Sequence, residues 1–294
     1  MKLALLSDNR LAVTYGDEEQ LLPVAAALAA AGDTAAAPTT PFGAACDATA
    51  LGKRLERALS ILLETGQLEN LLLAPFAPRL APIPRPNRIL AIGRNYAEHA
   101  KELGNAVPDE PVVFLKASQS VIGPDSEICI PDWAGRVDFE GELLVVLGKG
   151  GKNIAEKDAM DSVVAYTCFN DVTAREKSKV LQSKGHPWFL AKSLDTFGPL
   201  GPHLVTVDEI PDPSAIRVRL RVNGEIRQDG TTSQMIHSIP KLIAYLSQWF
   251  ALEPGDVIAT GTPPGVGPLA VGDIVEVEIE SIGCLRSAVS KRED

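Results

Sequence analysis

The sequence predicts an α+β chain that is mainly β, with a small α/β domain at its N-terminus. Residues 1–74 mix short apolar runs with Ala/Leu-rich helical patterns, most clearly over 51–63. Prolines at 75, 78, 82, 84 and 86 exclude a helix and favour an extended linker. After this linker, most patterned segments alternate at the period of a strand. We therefore predict two domains, residues 1–80 and 81–294.

Bulk composition excludes several classes of function. The 294 residues carry a net charge of −10, whereas a nucleic-acid surface needs a basic stripe. The longest apolar stretch, residues 21–31, is too short to cross a bilayer. The cysteines at 46, 129, 168 and 284 have no metal-site spacing and no small-domain disulfide pattern. We expect a cytoplasmic protein with reduced thiols and with neither a nucleic-acid nor a membrane partner.

The first segment that could carry catalytic residues is a strand that ends at Gly93 and leads into a helix. His99 and Glu102 are three residues apart in this helix, so they share one face. A carboxylate beside an imidazole fixes its tautomer and raises its basicity, which suits a base that activates water. The alternative is an ordinary ion pair on a helix surface.

Three carboxylates lie at the ends of two predicted strands. Glu140 and Glu142 precede the apolar run 143–147, and Asp171 follows the β-like run 163–170. Side chains alternate faces along a strand, so Glu140 and Glu142 point the same way and repel each other. Oxygen ligands without nearby Cys or His favour Mg²⁺, Mn²⁺ or Ca²⁺ over zinc. For an isolated Glu-x-Glu pair, a solvated strand edge is the alternative.

Two later segments could contact an anion. Lys192 stands among apolar and turn residues, so a partly buried ammonium could pair with a developing oxyanion. The alternative is a lysine that extends to solvent at the surface. Residues 255–267 form a strand that leads into a Gly/Thr/Pro loop, whose N–H groups and hydroxyls could bind an anion. An ordinary tight loop has nearly the same composition.

The remaining elements are structural. Residues 216–222 alternate apolar and basic positions before the hairpin turn Asn223–Gly224. Ser238 is a predicted N-cap for a helix that continues to about residue 250. The acidic stripe over 275–280 is interpreted as a solvated strand face.

In this order, the motifs resemble the fumarylacetoacetate hydrolase family over residues 84 to 290. The matching segments follow one another along the chain: Gly93–Tyr96 with His99 and Glu102, Glu140–Glu142, Asn170–Arg175, Lys192–Ser193 with Asp195–Thr196, Val222–Gly224 and Thr260–Pro263. Bacterial acylpyruvases and 2-hydroxyhepta-2,4-diene-1,7-dioate isomerases are members. The resemblance implies a mixed β-roll catalytic domain, a homodimer, and a variable N-terminal domain over residues 1–80.

The resemblance also implies residue roles. Glu140, Glu142 and Asp171 match the family's metal carboxylates, which bind Mg²⁺ or Mn²⁺ and could take Ca²⁺ in crystals. His99 and Glu102 match a water-activating pair on a segment, about 95–110, that orders as a lid.

Further residues match substrate contacts of the family. Lys192 matches the lysine that contacts the oxo or enolate oxygen of a 2-oxo acid. The matches for the remaining substrate contacts, including carboxylate binding, are Arg94, Tyr96, Gly261 and Thr262.

One position departs from the family pattern. Relatives commonly have Gln three residues after the arginine of their Thr-Ala-Arg motif, and this chain has Ser178 there. Gln182 follows one helical turn later and could replace it. Substrate identity therefore depends on a position that this chain has changed.

The function that these features predict is hydrolysis of a carbon–carbon bond in a small 2,4-dioxo acid, which yields pyruvate and a carboxylic acid. His99 would take a proton from water, and the metal and Lys192 would stabilise the departing pyruvate enolate. The alternatives on the same enolate-stabilising site are decarboxylation of oxaloacetate and isomerisation or hydration of an unsaturated 2-oxo diacid. The least favoured alternative is a ligand-binding relative without activity.

Overall fold

The computed structural model describes residues 1–16, 19–102, 104 and 107–292. Its seven α-helices within these ranges are α1 Val24–Ala30, α2 Pro41–Cys46, α3 Ala48–Glu64, α4 Ala97–Glu102, α5 Arg175–Ser183, α6 Phe189–Lys192 and α7 Ile239–Trp249. The strands up to the first metal-site segment are β1 Lys2–Leu6, β2 Leu11–Tyr15, β3 Gln20–Pro23, β4 Arg79–Leu80, β5 Ile89–Gly93, β6 Val112–Lys116, β7 Val121–Ile122, β8 Glu127–Ile130 and β9 Val137–Phe139. The later strands are β10 Gly141–Leu147, β11 Val163–Asn170, β12 Thr173–Ala174, β13 Gly198–Thr206, β14 Arg217–Val222, β15 Glu225–Thr231, β16 Val257–Ala259, β17 Gly267–Pro268, β18 Ile274–Ile279 and β19 Gly283–Lys291.

The described strands form three sheets. The largest has the order β3-β2-β1-β13-β11-β10-β16-β5-β6, with β4 paired to β1 and β7 paired to β13. A second sheet has the order β15-β14-β18-β19-β8, and a small third one the order β12-β9-β17. This architecture confirms the predicted α+β class, mainly β, because strands predominate and the helices lie around them.

Several predicted elements form as expected. Asn223 and Gly224 both have positive φ, 53° and 82°, which is the conformation of a tight two-residue hairpin turn between β14 and β15. The Ser238 side chain accepts a hydrogen bond from the backbone N–H of Lys241, so it caps α7 as predicted. The apolar face of α7 is buried, as its helical spacing requires.

The N-terminal residues share the large sheet with the rest of the chain. Strand β1 pairs antiparallel with β13, with Leu3 opposite Leu204. Leu51 and Leu55 of α3 belong to the same buried cluster as Phe169 of β11. The predicted linker also packs against the protein, because Ile83 is buried and β4 pairs with β1. The domain boundary at residue 80 stays a prediction.

No helix in the described part of the chain is both long and apolar enough to cross a membrane.

Candidate active site

Two neighbouring strands bring the three predicted metal carboxylates together. Glu140 lies between β9 and β10, Glu142 is in β10, and Asp171 follows β11. Strands β10 and β11 pair antiparallel with Gly141 opposite Asn170, and the Asp171 N–H donates to the Glu140 carbonyl at 2.8 Å. Each carboxylate is buried, and one oxygen from each lies within 4.8 Å of the others. A solvated strand edge is therefore not what the structure shows.

Three buried cations surround two of these carboxylates. Lys192 Nζ lies 2.7 Å from Glu140 Oε2 and 2.5 Å from Asp171 Oδ2. Lys116 Nζ lies 2.9 Å from Asp171 Oδ1, and Arg175 pairs with Glu140. Glu142 differs, because among the described residues it has no salt-bridge partner and accepts a hydrogen bond from the Gly261 N–H at 2.9 Å.

The electrostatics of the carboxylates follow from these contacts. Burial raises the pKa of Glu142 well above its usual value, and the negative charges of Asp171 and Glu140 raise it further. Burial alone would also raise the pKa of Glu140, but the charges of Lys192 and Arg175 bring it below its usual value.

The donor set fits a divalent cation. The site offers oxygen ligands from three residues, and no side-chain cation of the described residues contacts the buried carboxyl group of Glu142, whose raised pKa favours its neutral form in the absence of an ion. A hard cation among these oxygens would supply the missing positive charge.

The predicted base lies on α4. His99 is 5% exposed, and its Nδ1 is 3.6 Å from Glu102 Oε2. Both oxygens of Glu102 lie within 3.2 Å of the Gly265 N–H, which donates to the carboxylate. Burial lowers the pKa of His99, although the charge of Glu140 opposes this effect. The imidazole is therefore held neutral near pH 7, as a general base must be.

A cavity of about 40 Å³ joins the carboxylates to His99. Its lining includes nine of the residues predicted from the sequence as site candidates: Arg94, His99, Glu140, Glu142, Asp171, Ser178, Gln182, Lys192 and Thr262. These residues come from six separate chain segments, so the sequence motifs converge on one place.

Two predicted substrate contacts also form hydrogen bonds within the protein, and a third lies outside the cavity lining. The Thr262 hydroxyl donates to the Gly141 carbonyl at 2.8 Å and accepts from Gln228 Nε2 at 2.7 Å. The Gly261 N–H is directed to Glu142. Tyr96 is buried and is not part of the described cavity lining. The hydrogen bonds of Gly261 and Thr262 support the segment that carries Glu142, and the contact of all three residues with a substrate remains a prediction.

Ser178, which stands where relatives commonly have Gln, faces the cavity from helix α5. Arg175, Ser178 and Gln182 lie on one face of α5 and all line the cavity. Gln182 Nε2 lies 3.4 Å from Ser178 Oγ. Gln182 is therefore near the site of the missing family glutamine, as the spacing of one helical turn suggested.

The sequence interpretation missed two cationic residues of the site. Lys116 is fully buried and donates to the Val172 carbonyl at 3.1 Å as well as to the Lys192 carbonyl. In the sequence, Arg175 is distinguished only as part of a motif, yet in the structure it links Glu140 to Asp138. A lysine at the end of the apolar run 112–115 was the only available signal for Lys116, and any strand could end in this way.

The lid prediction concerns residues 95–110. Of these, Leu103, Asn105 and Ala106 lie outside the described residues. Asn95, at the start of this range, is held by two hydrogen bonds to other segments: its Nδ2 donates to the His237 carbonyl at 3.1 Å and to the Thr260 carbonyl at 2.8 Å. Motion of the segment without ligand stays a prediction.

Comparison with known proteins assigns the family. The family model for the C-terminal domain of fumarylacetoacetate hydrolase matches residues 88–290. The chain belongs to the fumarylacetoacetate hydrolase family. The resemblance inferred from the motifs is thereby confirmed, and with it an enzyme family whose carboxylate triad this chain retains.

Relatives within the family have different activities. The mitochondrial oxaloacetate tautomerase of Xenopus laevis is 46% identical over 71% of this chain and 67% of its own length. A crystal structure of maleylpyruvate hydrolase from Sphingobium, in complex with manganese and pyruvate, is 31% identical and covers 100% of both chains with a TM-score of 0.79. A 2-hydroxyhepta-2,4-diene-1,7-dioate isomerase from Mycobacterium marinum is also 31% identical, with full coverage of both chains and a TM-score of 0.75. Membership of the family therefore does not by itself fix the reaction.

Proposed function

We propose that the protein is a metal-dependent enzyme that interconverts the keto and enol forms of a small 2-oxo diacid of the oxaloacetate type. The observation that supports this most strongly is the meeting of a buried carboxylate triad and a buried, neutral His99 in one small cavity. Enolisation next to a carbonyl needs both components, a positive centre for the oxygen and a base for the carbon-bound proton.

Glu140, Glu142 and Asp171 would hold the divalent cation, Mg²⁺ or Mn²⁺. When bound, such an ion supplies a Lewis acid that polarises the 2-oxo group and stabilises negative charge on its oxygen. Lys192 lies beside two of the same carboxylates, so an oxygen that approaches them also approaches its ammonium. Burial alone would lower the pKa of Lys192, but Asp171 and Glu140 raise it, so the side chain stays charged.

Arg94 suits the distal carboxylate of a diacid. It lines the cavity and, among the described residues, forms no salt bridge, whereas Arg175 and Lys192 are paired with the carboxylates. Its guanidinium lies over the Trp188 ring at 5.7 Å, which leaves its hydrogen-bond donors available.

His99 would move the proton. Because its Nδ1 faces Glu102, a proton on Nδ1 leaves the lone pair of Nε2 to take a proton from C3 of the substrate. The C–H electron pair then forms the C2–C3 double bond, and the carbonyl electron pair moves to the C2 oxygen. Return of the same proton from Nε2 to that oxygen completes the enol. Glu102 stabilises the imidazolium between the two transfers.

One observation favours this isomerisation over the hydrolysis that the sequence predicted. The named relative at 46% identity is an oxaloacetate tautomerase.

Hydrolysis of an acylpyruvate is the second candidate. The pairing of His99 with Glu102 favours it, since such a pair can activate water. A solved relative that covers the whole chain is a maleylpyruvate hydrolase. Decarboxylation, or hydration of an unsaturated 2-oxo diacid, would use the same enolate.

The test compares the candidate reactions in one preparation. Purified protein is assayed with Mg²⁺ and with Mn²⁺ for loss of enol absorbance from oxaloacetate and for pyruvate release from oxaloacetate and from acylpyruvates. Faster enol–keto conversion than pyruvate release supports the proposal. Pyruvate release from acylpyruvates without tautomerisation would instead establish the hydrolase, and equal rates in EDTA would contradict the metal site.

The oligomeric state is proposed on the family resemblance alone. We infer a homodimer, and light scattering of the purified protein tests it, with a monomeric mass as the contrary result.

A further inference from the structure

A large apolar groove adjoins the catalytic cavity. It encloses about 710 Å³ and is lined by apolar side chains that include Leu90, Val112, Leu115 and Phe250. The catalytic cavity, by contrast, is about 40 Å³ and is lined by carboxylates and cations. The proposed function places no part of the substrate in this groove.

Two aromatic residues belong to both spaces. Phe114 of β6 and Trp188 line the catalytic cavity and also the groove. Their rings meet edge to face, with centroids 5.3 Å apart and an interplanar angle of 67°. The two aromatic side chains therefore form the partition between a polar and an apolar compartment.

The Trp188 ring is fixed on several sides. A Cβ added to Gly93 would lie 2.7 Å from Trp188 Cζ3, so the indole rests directly on the backbone of Gly93. On another side the Arg94 guanidinium lies 5.7 Å from the ring centroid. The Trp188 carbonyl also accepts the Ala191 N–H at 2.8 Å, in the turn that leads to Lys192. These contacts hold the Trp188 side chain at the boundary between the cavity and the groove.

We propose that Trp188 determines substrate length by closing the catalytic cavity against the groove. The inference rests on the proposed function, in which a 2-oxo acid places its carboxylate and oxo group at the triad. A short polar acid ends before the indole. A longer alkyl or aryl tail would have to occupy the position of the ring, although the groove beyond it offers apolar surface.

The experiment measures binding of 2-oxo acids of increasing length. Dissociation constants for oxaloacetate, 2-oxobutanoate, 2-oxooctanoate and phenylpyruvate are determined by calorimetry with Mn²⁺ present. In Trp188→Ala, the affinity for 2-oxooctanoate relative to 2-oxobutanoate should rise about tenfold or more, because the tail gains access to apolar surface. Trp249→Ala, which removes a tryptophan that is 67% exposed, is the matched control and should keep the wild-type ratio.

A second variant displaces the Trp188 ring without removing it. Gly93→Ala places a methyl group against Trp188 Cζ3, so it should displace the ring and raise the same ratio. In a Trp188→Ala background, the Gly93→Ala change should have no further effect on the ratio, because its effect acts through the indole. This variant also covers the case in which Trp188→Ala does not fold.

The outcomes separate the two proposals. A wild-type protein that binds the long acids as tightly as the short ones, or ratios that neither variant alters, would overturn the role of Trp188. Binding of the acids without turnover of any of them contradicts the proposed function alone and leaves the length measurement valid. Failure of every acid to bind would overturn both.

Discussion

Glu142 is the residue at which the need for a bound cation is most evident. Glu140 and Asp171 each contact a buried ammonium or guanidinium, whereas Glu142 is held by one backbone N–H. A buried carboxylate charge costs several kcal/mol when nothing positive contacts it. At the scale of single residues, the raised pKa of Glu142 favours the neutral carboxyl group, and a bound ion would supply the positive charge that the carboxylate form requires.

Removing the ionisable group of Glu142 should separate metal binding from folding. Glu142→Gln keeps the shape and the Gly261 contact, so the metal-free melting temperature should equal or exceed that of the wild type. The rise in melting temperature with Mn²⁺ should disappear, and kcat should fall by about 10²-fold or more, because one of three ligands is lost. Thermal melts with and without Mn²⁺ measure this, with Glu64→Gln at an exposed position as the control. An undiminished Mn²⁺ effect would remove Glu142 from the metal site.

The changed family position gives a second residue-scale prediction. Gln182 lies next to Ser178 and lines the cavity, so Gln182→Ala should lower kcat/KM while Ser178→Ala has little effect. Ser178→Gln should alter the preference among 2-oxo acids and leave Mn²⁺ affinity unchanged. Steady-state kinetics over a panel of acids measures both. A substrate profile that none of the three changes affects would show that specificity is set elsewhere.

The carboxylates and His99 could be predicted because the spacing of residues along a strand or helix determines which side chains lie on the same face. Glu140 and Glu142 share a strand face, and His99 and Glu102 share a helix face. Lys116 could not be predicted, since its contact with Asp171 arises only when β6 folds beside the metal segments. The hydrogen bond from Gln228 to the Thr262 hydroxyl could not be predicted either, because no local pattern indicates that β15 brings Gln228 to this position.

At the scale of elements, α4 is a short helix with two different faces. His99 and Glu102 face the cavity and the loop at Gly265, whereas Glu98 and Lys101 are exposed and pair with each other at 2.7 Å. The helix therefore presents a base and its partner on one side and an ordinary surface ion pair on the other.

This arrangement predicts non-additive effects within α4. His99→Ala and Glu102→Ala should each lower kcat by a factor of about 10² to 10⁴, and the double variant should be little worse than either, because the two side chains act as one unit. The pair Glu98→Ala and Lys101→Ala, on the same helix, should change kcat less than about twofold. Effects of His99 and Glu102 that multiply in the double variant would indicate separate roles.

The strand elements were predictable to different degrees. The hairpin at Asn223–Gly224 and the capped helix from Ser238 follow from local chemistry, and both form. The pairing of β1 with β13 could not be inferred, because long-range register depends on packing that no local pattern encodes.

At the scale of the whole molecule, a buried histidine lies where the N-terminal strands meet the rest of the sheet. His203 of β13 bonds through Nε2 with Arg79 Nη1 of β4 at 2.9 Å. Burial and the charge of Arg79 lower the pKa of His203, Glu19 opposes both effects, and together they bring the pKa to about 4. The neutral ring is thus part of the contact between residues 1–80, the proposed N-terminal domain, and the sheet.

The pH dependence of stability should report on this contact. The folded pKa lies below the usual 6.5, so the unfolded chain binds the proton first as pH falls. The contribution of the neutral His203 ring to the free energy of unfolding is fully present above pH 6.5. It is lost between pH 6.5 and about 4, for a total of about 3 kcal/mol. Urea unfolding from pH 7 to 4 should show a smaller loss for His203→Gln than for the wild type. His186→Gln, at an exposed histidine, should behave like the wild type, and identical curves for all three would contradict the assignment.

The pairing of β1 with β13 has a consequence for synthesis of the chain. Lys2 lies opposite Val205, so this edge of β1 meets its partner only after about two hundred further residues have been synthesised, whereas β2, on the other edge, follows β1 directly in the chain. Until then, the edge of β1 at Lys2 and Leu3 is unpaired, which is the condition under which nascent chains associate wrongly or recruit chaperones. The pairing of β1 with β13 is therefore a late step in folding during synthesis, although β1, β2 and β3 can pair with one another early.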